Sequence, residues 1–303
     1  MLNAVVRLLL TKESSGTRML QTRLSPALAL LLSCLVLGAV PVRAHEDRDD
    51  TLARLDATLA ENPGDPELWR SRAVLERSRA NFARAHADLT KAVDLGLAPW
   101  LAQRDRGLIW LEAGRFADAE ASLRSARAQS PRDLPTLLAH ARALAGLERW
   151  REAAAAYALV IALEPRSNPD VHLERVRSIE AAGGADAFAE AVRAADAGIA
   201  VLGPVPALQQ AALELEMRAG RVDAALARLD RMANAVKRHG SLLLQRAELF
   251  ERAGRMRDAS LAYADALAAL EGQPETRRAL PAARRIETRA RDGITRLARQ
   301  EAP

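Results

Sequence analysis

Alanine stands at positions 85, 119, 153, 191, 225 and 259. Four of the five intervals are 34 residues, and the other, from Ala153 to Ala191, is 38. A side chain this small, recurring at that period, demands a close backbone contact once per unit. It calls for an array of similar units rather than one irregular core. The surrounding segments repeat as well: AGRFADAEASL (Ala113 to Leu123), AGRVDAALARL (Ala219 to Leu229) and AGRMRDASLAY (Ala253 to Tyr263).

Frames of 34 begin at Pro66, Trp100, Leu134, His172, Pro206 and Gly240, with four residues inserted around Ser167 to Asp170. The alanines occupy column 20. Column 8 holds Ala73, Gly107, Ala141, Ile179, Leu213 and Ala247, and column 27 holds Ala92, Ala126, Val160, Gly198, Met232 and Ala266. Bulky residues dominate column 17 (Phe82, Phe116, Trp150, Phe188, Val222, Met256) and column 24 (Leu89, Leu123, Tyr157, Ala195, Leu229, Tyr263). The chain is 49% hydrophobic but only 3% aromatic, its apolar residues mostly Ala and Leu, which favours packed helices over strands. Gly114, Gly220 and Gly254 break their frames into two amphipathic helices, since glycine accepts the left-handed backbone at a helix end. Small residues at columns 8 and 20 let the two axes approach, and the bulky ones fill the gap to the next frame. No pair buries its face alone, so the frames stack.

This pattern resembles the tetratricopeptide repeat over about residues 66–271. The expected fold is all-α: an α-solenoid superhelix of stacked antiparallel helix pairs. The frames are 66–99, 100–133, 134–167, a divergent 172–205, 206–239 and 240–271. Ile179 and Gly198 depart from the pattern in the fourth, which puts its first helix in question. Leu52, Leu55 and Leu59 predict a capping helix within 45–65. Ile286, Ala290, Ile294 and Leu297 predict a closing helix within 272–303, started or kinked by Pro281.

The formal net charge of +5 is concentrated at the start. Without residues 1–44 the chain carries 39 basic against 38 acidic residues, which removes the main support for nucleic-acid binding. Residues 1–44 read as an export signal. Arg23 precedes an apolar run from Ala27 to Val40, and Val42-Arg43-Ala44 is a small-x-small cleavage site before His45. Met19 is a candidate true start. The run rises about 21 Å as helix, short of the ~30 Å hydrocarbon core, so no stable membrane span is expected after cleavage. The expected destination is the periplasm or the exterior, ahead of a signal anchor or a lipoprotein. Cys34, the single cysteine, lies inside the apolar run.

No catalytic, cofactor or metal constellation emerges. The histidines are His45, His86, His140, His172 and His239, none spaced as ligands, and there is no glycine-rich phosphate loop. The resemblance instead implies a concave groove lined by first helices, chiefly through columns 2, 5, 9 and 12. Carried over, the groove has a basic half (Arg70, Arg77, Arg104, Arg142) and an acidic half (Glu180, Glu214, Glu248, Glu251), with Leu108, Leu111, Leu138 and Leu244 as apolar pockets. The implied partner is a protein or an extended peptide, and oligomeric state stays open. Trp69, Trp100, Trp110 and Trp150 fall at packing columns. Two alternatives remain: a polyanion or membrane-surface binder using the arginine-rich C-terminal helix, and an enzyme with a site near 167–205.

Overall fold

A computed structural model describes residues 39–235 and 240–301, and every regular element among them is helical. The chain divides into two compact units, residues 1–62 and 63–303. Helix α1 (Ala39–Glu61) belongs to the first. Most of the expected export signal, residues 1–38, lies outside the described residues, and Ala44 falls within α1.

The second unit is a solenoid of six antiparallel helix pairs, one per frame. They are α2 (Pro66–Ser78) with α3 (Phe82–Asp94), α4 (Pro99–Glu112) with α5 (Phe116–Gln129), and α6 (Leu134–Gly146) with α7 (Trp150–Leu163). Then follow α8 (Pro169–Ala182) with α9 (Ala187–Leu202), α10 (Pro206–Arg218) with α11 (Val222–Ala235), and α12 (Gly240–Arg252) with α13 (Met256–Glu271). A single turn, α14 (Glu275–Arg278), and a long helix, α15 (Pro281–Glu301), complete the described chain.

Each first helix starts on local chemistry. Prolines 66, 99, 135, 169 and 206 sit in first turns, where the missing N–H has no intrahelical partner to lose. Asp65, Asp133 and Asn168 cap α2, α6 and α8, each accepting a backbone N–H. The turn inside five of the pairs is the same three residues long. Its middle residue is left-handed, with φ 60 at Ala80, 71 at Gly114, 58 at Glu148, 68 at Gly220 and 73 at Gly254. The next N–H then reaches back five residues: Asn81 to Glu76, Arg115 to Trp110, Arg149 to Leu144, Arg221 to Glu216 and Arg255 to Phe250, at 2.8–3.0 Å. The glycines expected at three of these turns share the conformation with an alanine and a glutamate.

The alanine column is the core. Ala85, Ala119, Ala153, Ala191, Ala225 and Ala259 all have 0% exposure. Column 24 is buried throughout, whereas column 17 is half-buried between neighbouring pairs. The small residues are sterically required. A Cβ on Gly107 would lie 2.4 Å from Leu123 Cγ, and one on Gly198 would lie 2.9 Å from His172 Nδ1. The fourth first helix, in question from its sequence, is present and regular. Asn168 caps it and Pro169 begins it, three residues ahead of the predicted frame.

Pro281 starts α15 rather than kinking it. Helix α15 lies against both α12 and α13. Ala290 and Leu297 are buried there, Ile286 and Ile294 are partly buried, and Gly293 faces the Tyr263 ring too closely to admit a methyl group.

Candidate interaction surface

From α4 onward, each first helix packs on the second helix of the preceding pair. First helices also touch directly, α2 with α4, α4 with α6, and α8 with α10. These contacts set first helices side by side along the stack, and all eight charged residues of the expected groove lie on first helices.

Seven of the eight are ion-paired, mostly to the next repeat. Arg70 Nε donates to Asp105 at 2.7 Å, and Arg70 also reaches Glu67 at 3.1 Å. Arg77 lies 3.4 Å from Glu112. Arg104 donates to Asp105 at 3.0 Å and lies 3.5 Å from Asp133. Arg142 grips both oxygens of Glu174 at 3.0–3.2 Å. Glu180 accepts from Arg218. Glu248 meets Arg289 at 2.6 Å, and Glu251 accepts from Arg296 at 2.6 and 2.8 Å and from the Tyr263 hydroxyl at 2.6 Å. Glu214 is exposed and has no hydrogen bond or ion pair among the described residues.

This arrangement revises the bipolar groove. An arginine held against a carboxylate presents little net field to a partner, so separate basic and acidic halves do not exist as free charge. The partners (Asp105, Glu112, Glu174, Arg218, Arg289, Arg296) were missed because each lies 32 to 45 residues away, about one repeat. Opposite charges at that spacing are the signal that finds them. The Arg296 guanidinium holds the Glu251 carboxyl below the usual carboxylate range against the opposing effect of burial.

Apolar surface persists between these clasps. Leu108, Leu111 and Leu138 are partly buried at the edges of two core clusters, whereas Leu244 is fully buried and forms no pocket. Three of the four tryptophans pack under arginines. Arg72 lies 4.7 Å over Trp69, Arg104 lies 5.6 Å over Trp100, and Arg115 lies 4.0 Å over Trp110, whose other neighbour is His86. On the C-terminal helix, Arg289, Arg291 and Arg296 are already paired with Glu248, Glu287 and Glu251. Arg277, Arg278, Arg284, Arg285 and Arg299 remain exposed and without ion pairs among the described residues.

The buried charges are structural. Arg228, at 2% exposure, donates to both oxygens of Glu216 and reaches Asp196 of the preceding repeat at 2.8 Å. Asp88 receives two bonds from Arg72. No group of three or more His, Cys, Asp or Glu able to hold a metal is found among the described residues, and no described helix is long and apolar enough to cross a membrane.

A stack of helix pairs with this turn, this alanine contact and this inner face defines an α-solenoid of short helical repeats. The particular kind is settled by comparison with solved structures: the fold is that of tetratricopeptide-repeat proteins. The C-terminal part of a tetratricopeptide-repeat protein from Cytophaga hutchinsonii aligns over 83% of this chain and 96% of its own, at 13% identity and TM-score 0.59. The structure of Naa15/Naa10 bound to HypK-THB aligns over 85% of this chain and 38% of the other, at 14% identity and TM-score 0.52. A tetratricopeptide-repeat protein from Parabacteroides merdae covers 86% of this chain and 98% of its own, at 13% identity and TM-score 0.48. No protein-family model and no curated sequence matches the chain.

Proposed function

We propose that this chain is an exported, non-catalytic scaffold that holds a partner protein or extended peptide along its first helices. The observation that carries the reading is the inner face itself. Leu108, Leu111 and Leu138 remain partly accessible there while the surrounding charges are locked in pairs. A partner then meets apolar steps within a polar, nearly neutral frame, which suits an extended segment anchored by apolar side chains. Glu214 adds one free carboxylate for a basic residue of the partner. Export rests on the apolar run from Ala27 to Val40 and the site at Val42-Arg43-Ala44.

The test immobilises the chain from His45 onward and passes envelope extract over it. Beside it run two variants, Leu108→Ser with Leu111→Ser, and Glu214→Arg, each checked for helicity. A partner retained by the parent and lost by the leucine variant supports the reading. Equal retention by all three rules out the inner face as the binding surface. N-terminal sequencing of chain recovered from the expressing cell tests export: a mature terminus at His45 supports it, and an intact terminus in the cytoplasmic fraction counts against it.

A further inference from the structure

The fourth repeat breaks the turn rule of the other five. Four residues, Gly183 to Asp186, replace the usual three. Gly183 has φ 66 and ψ −171, a region open essentially to glycine alone, and Gly184 has φ 109. Elsewhere the turn often ends in an arginine held by the acid three residues on: Arg115 with Asp118, Arg149 with Glu152, and Arg255 with Asp258, each at 2.7 Å. The fourth turn has no arginine. A cavity of about 440 Å³ opens there instead, between α7, α8 and the start of α9.

Two arginines from outside the turn line this cavity. Arg151 comes from the first turn of α7, and its Nη2 would lie 3.6 Å from a Cβ on Gly184. Arg175 comes from the middle of α8, and its Nε is buried with no hydrogen-bond partner. Neither has an ion pair among the described residues, although most inner-face arginines do. A buried guanidinium N–H that no protein group accepts from is costly, so an acceptor on a ligand is favoured there. Asp186 and Glu190 stand exposed on the same wall, beyond ion-pair distance of both arginines. The remaining surface is largely alanine methyls and Ile179.

We propose that this cavity binds a small amphoteric molecule, its phosphate or carboxylate held by Arg151 and Arg175 and its amine facing Asp186 or Glu190. The volume falls within the range of small-ligand sites. A planar guanidinium fork offers paired donors to an oxyanion, and the oxyanion in turn supplies the acceptor that the Arg175 Nε lacks. The rim carboxylates disfavour a polyanion and favour a ligand carrying a positive group. This site is separate from the inner-face leucines and does not depend on them.

Isothermal titration of the purified chain with γ-aminobutyrate and with O-phosphoethanolamine tests the proposal, each probe carrying one amine and one oxyanion, so that the pair distinguishes carboxylate from phosphate. Saturable binding of either probe is expected, weakened about tenfold or more by Arg151→Gln and by Arg175→Gln. Arg177→Gln removes an exposed charge from the same helix outside the cavity and should leave affinity unchanged. Arg151 is exposed, so its variant keeps the test valid if the Arg175 variant unfolds. Absence of binding by both probes overturns the proposal. So does a loss with Arg177→Gln equal to that with Arg151→Gln.

Discussion

Arg70 of the first repeat donates to Asp105 of the second across 2.7 Å, and Asp105 is 4% exposed. Arg104 approaches the same carboxylate from the other side. One buried acid therefore serves two arginines that occupy the same column of successive repeats. Asp105→Ala takes the buried carboxylate from both largely covered guanidinium groups, leaving Arg70 only the exposed Glu67 and Arg104 only Asp133 at 3.5 Å. It should cost about 3–5 kcal/mol, whereas Glu174→Ala, which breaks a more exposed pair, should cost about 0.2–1 kcal/mol. Urea denaturation of the two variants checks the contrast, and equal costs would refute it.

Arg228 and Glu216 give a second, sharper case, since both are nearly inaccessible. Arg228→Met alone strands the Glu216 carboxylate and should destabilise by about 3–5 kcal/mol. Adding Glu216→Leu should recover much of that loss, because two apolar side chains leave no buried charge to compensate. A double-mutant cycle in denaturant reads the recovery directly.

Ala80 and Glu148 adopt a backbone that their side chains resist. Replacing either with glycine relieves a strain of about 1–2 kcal/mol and returns part of it as unfolded-chain entropy. A net gain of about 0.5–1 kcal/mol is expected for each. Gly183→Ala should go the other way, because its conformation admits no Cβ comfortably. Thermal melts of the three variants would show the opposite signs.

Burial pushes His140 and His172 below the ordinary imidazole range; the Glu120 carboxylate, 3.5 Å from His140, only partly opposes this. Their folded pKa is then lower than the unfolded one. The stability they contribute is complete above about pH 6.5 and is lost as pH falls from there through the folded value. Denaturant midpoints should therefore drop on acidification below neutrality. His140→Gln should flatten that drop, and an unchanged slope would refute the assignment.

The parts of the fold most legible in the sequence were those where steric demand leaves one answer. Ala153 and Ala259 could be named as contacts because only a small side chain fits where two helices cross. The turns at Ala80 and Glu148 were hidden, since their left-handed backbone is set by the surrounding helix ends and not by glycine. The start of α8 was displaced because Asn168 and Pro169 begin a helix wherever they fall, whatever frame the repeat imposes. At the candidate surface, residue types and columns could be listed, but Arg142 and Glu180 read as free charges. Whether a long side chain reaches solvent or its neighbour depends on the rise between repeats, which column counting does not contain. Arg151 and Arg175 gave no signal at all, being drawn together only by the one turn that breaks the pattern.

Much of the ionic fastening between repeats lies along the inner edge, where Arg70, Arg77, Arg142 and Glu180 each reach a neighbouring first helix. The outer helices are spaced by the half-buried residues of column 17. A stack tied on one side by charge and propped on the other by apolar side chains should answer to salt on one side only. Dissolved ions screen the exposed ties, such as Arg142 with Glu174, far more than the buried one at Asp105, so added salt should make the stack more compliant chiefly where its ties reach solvent.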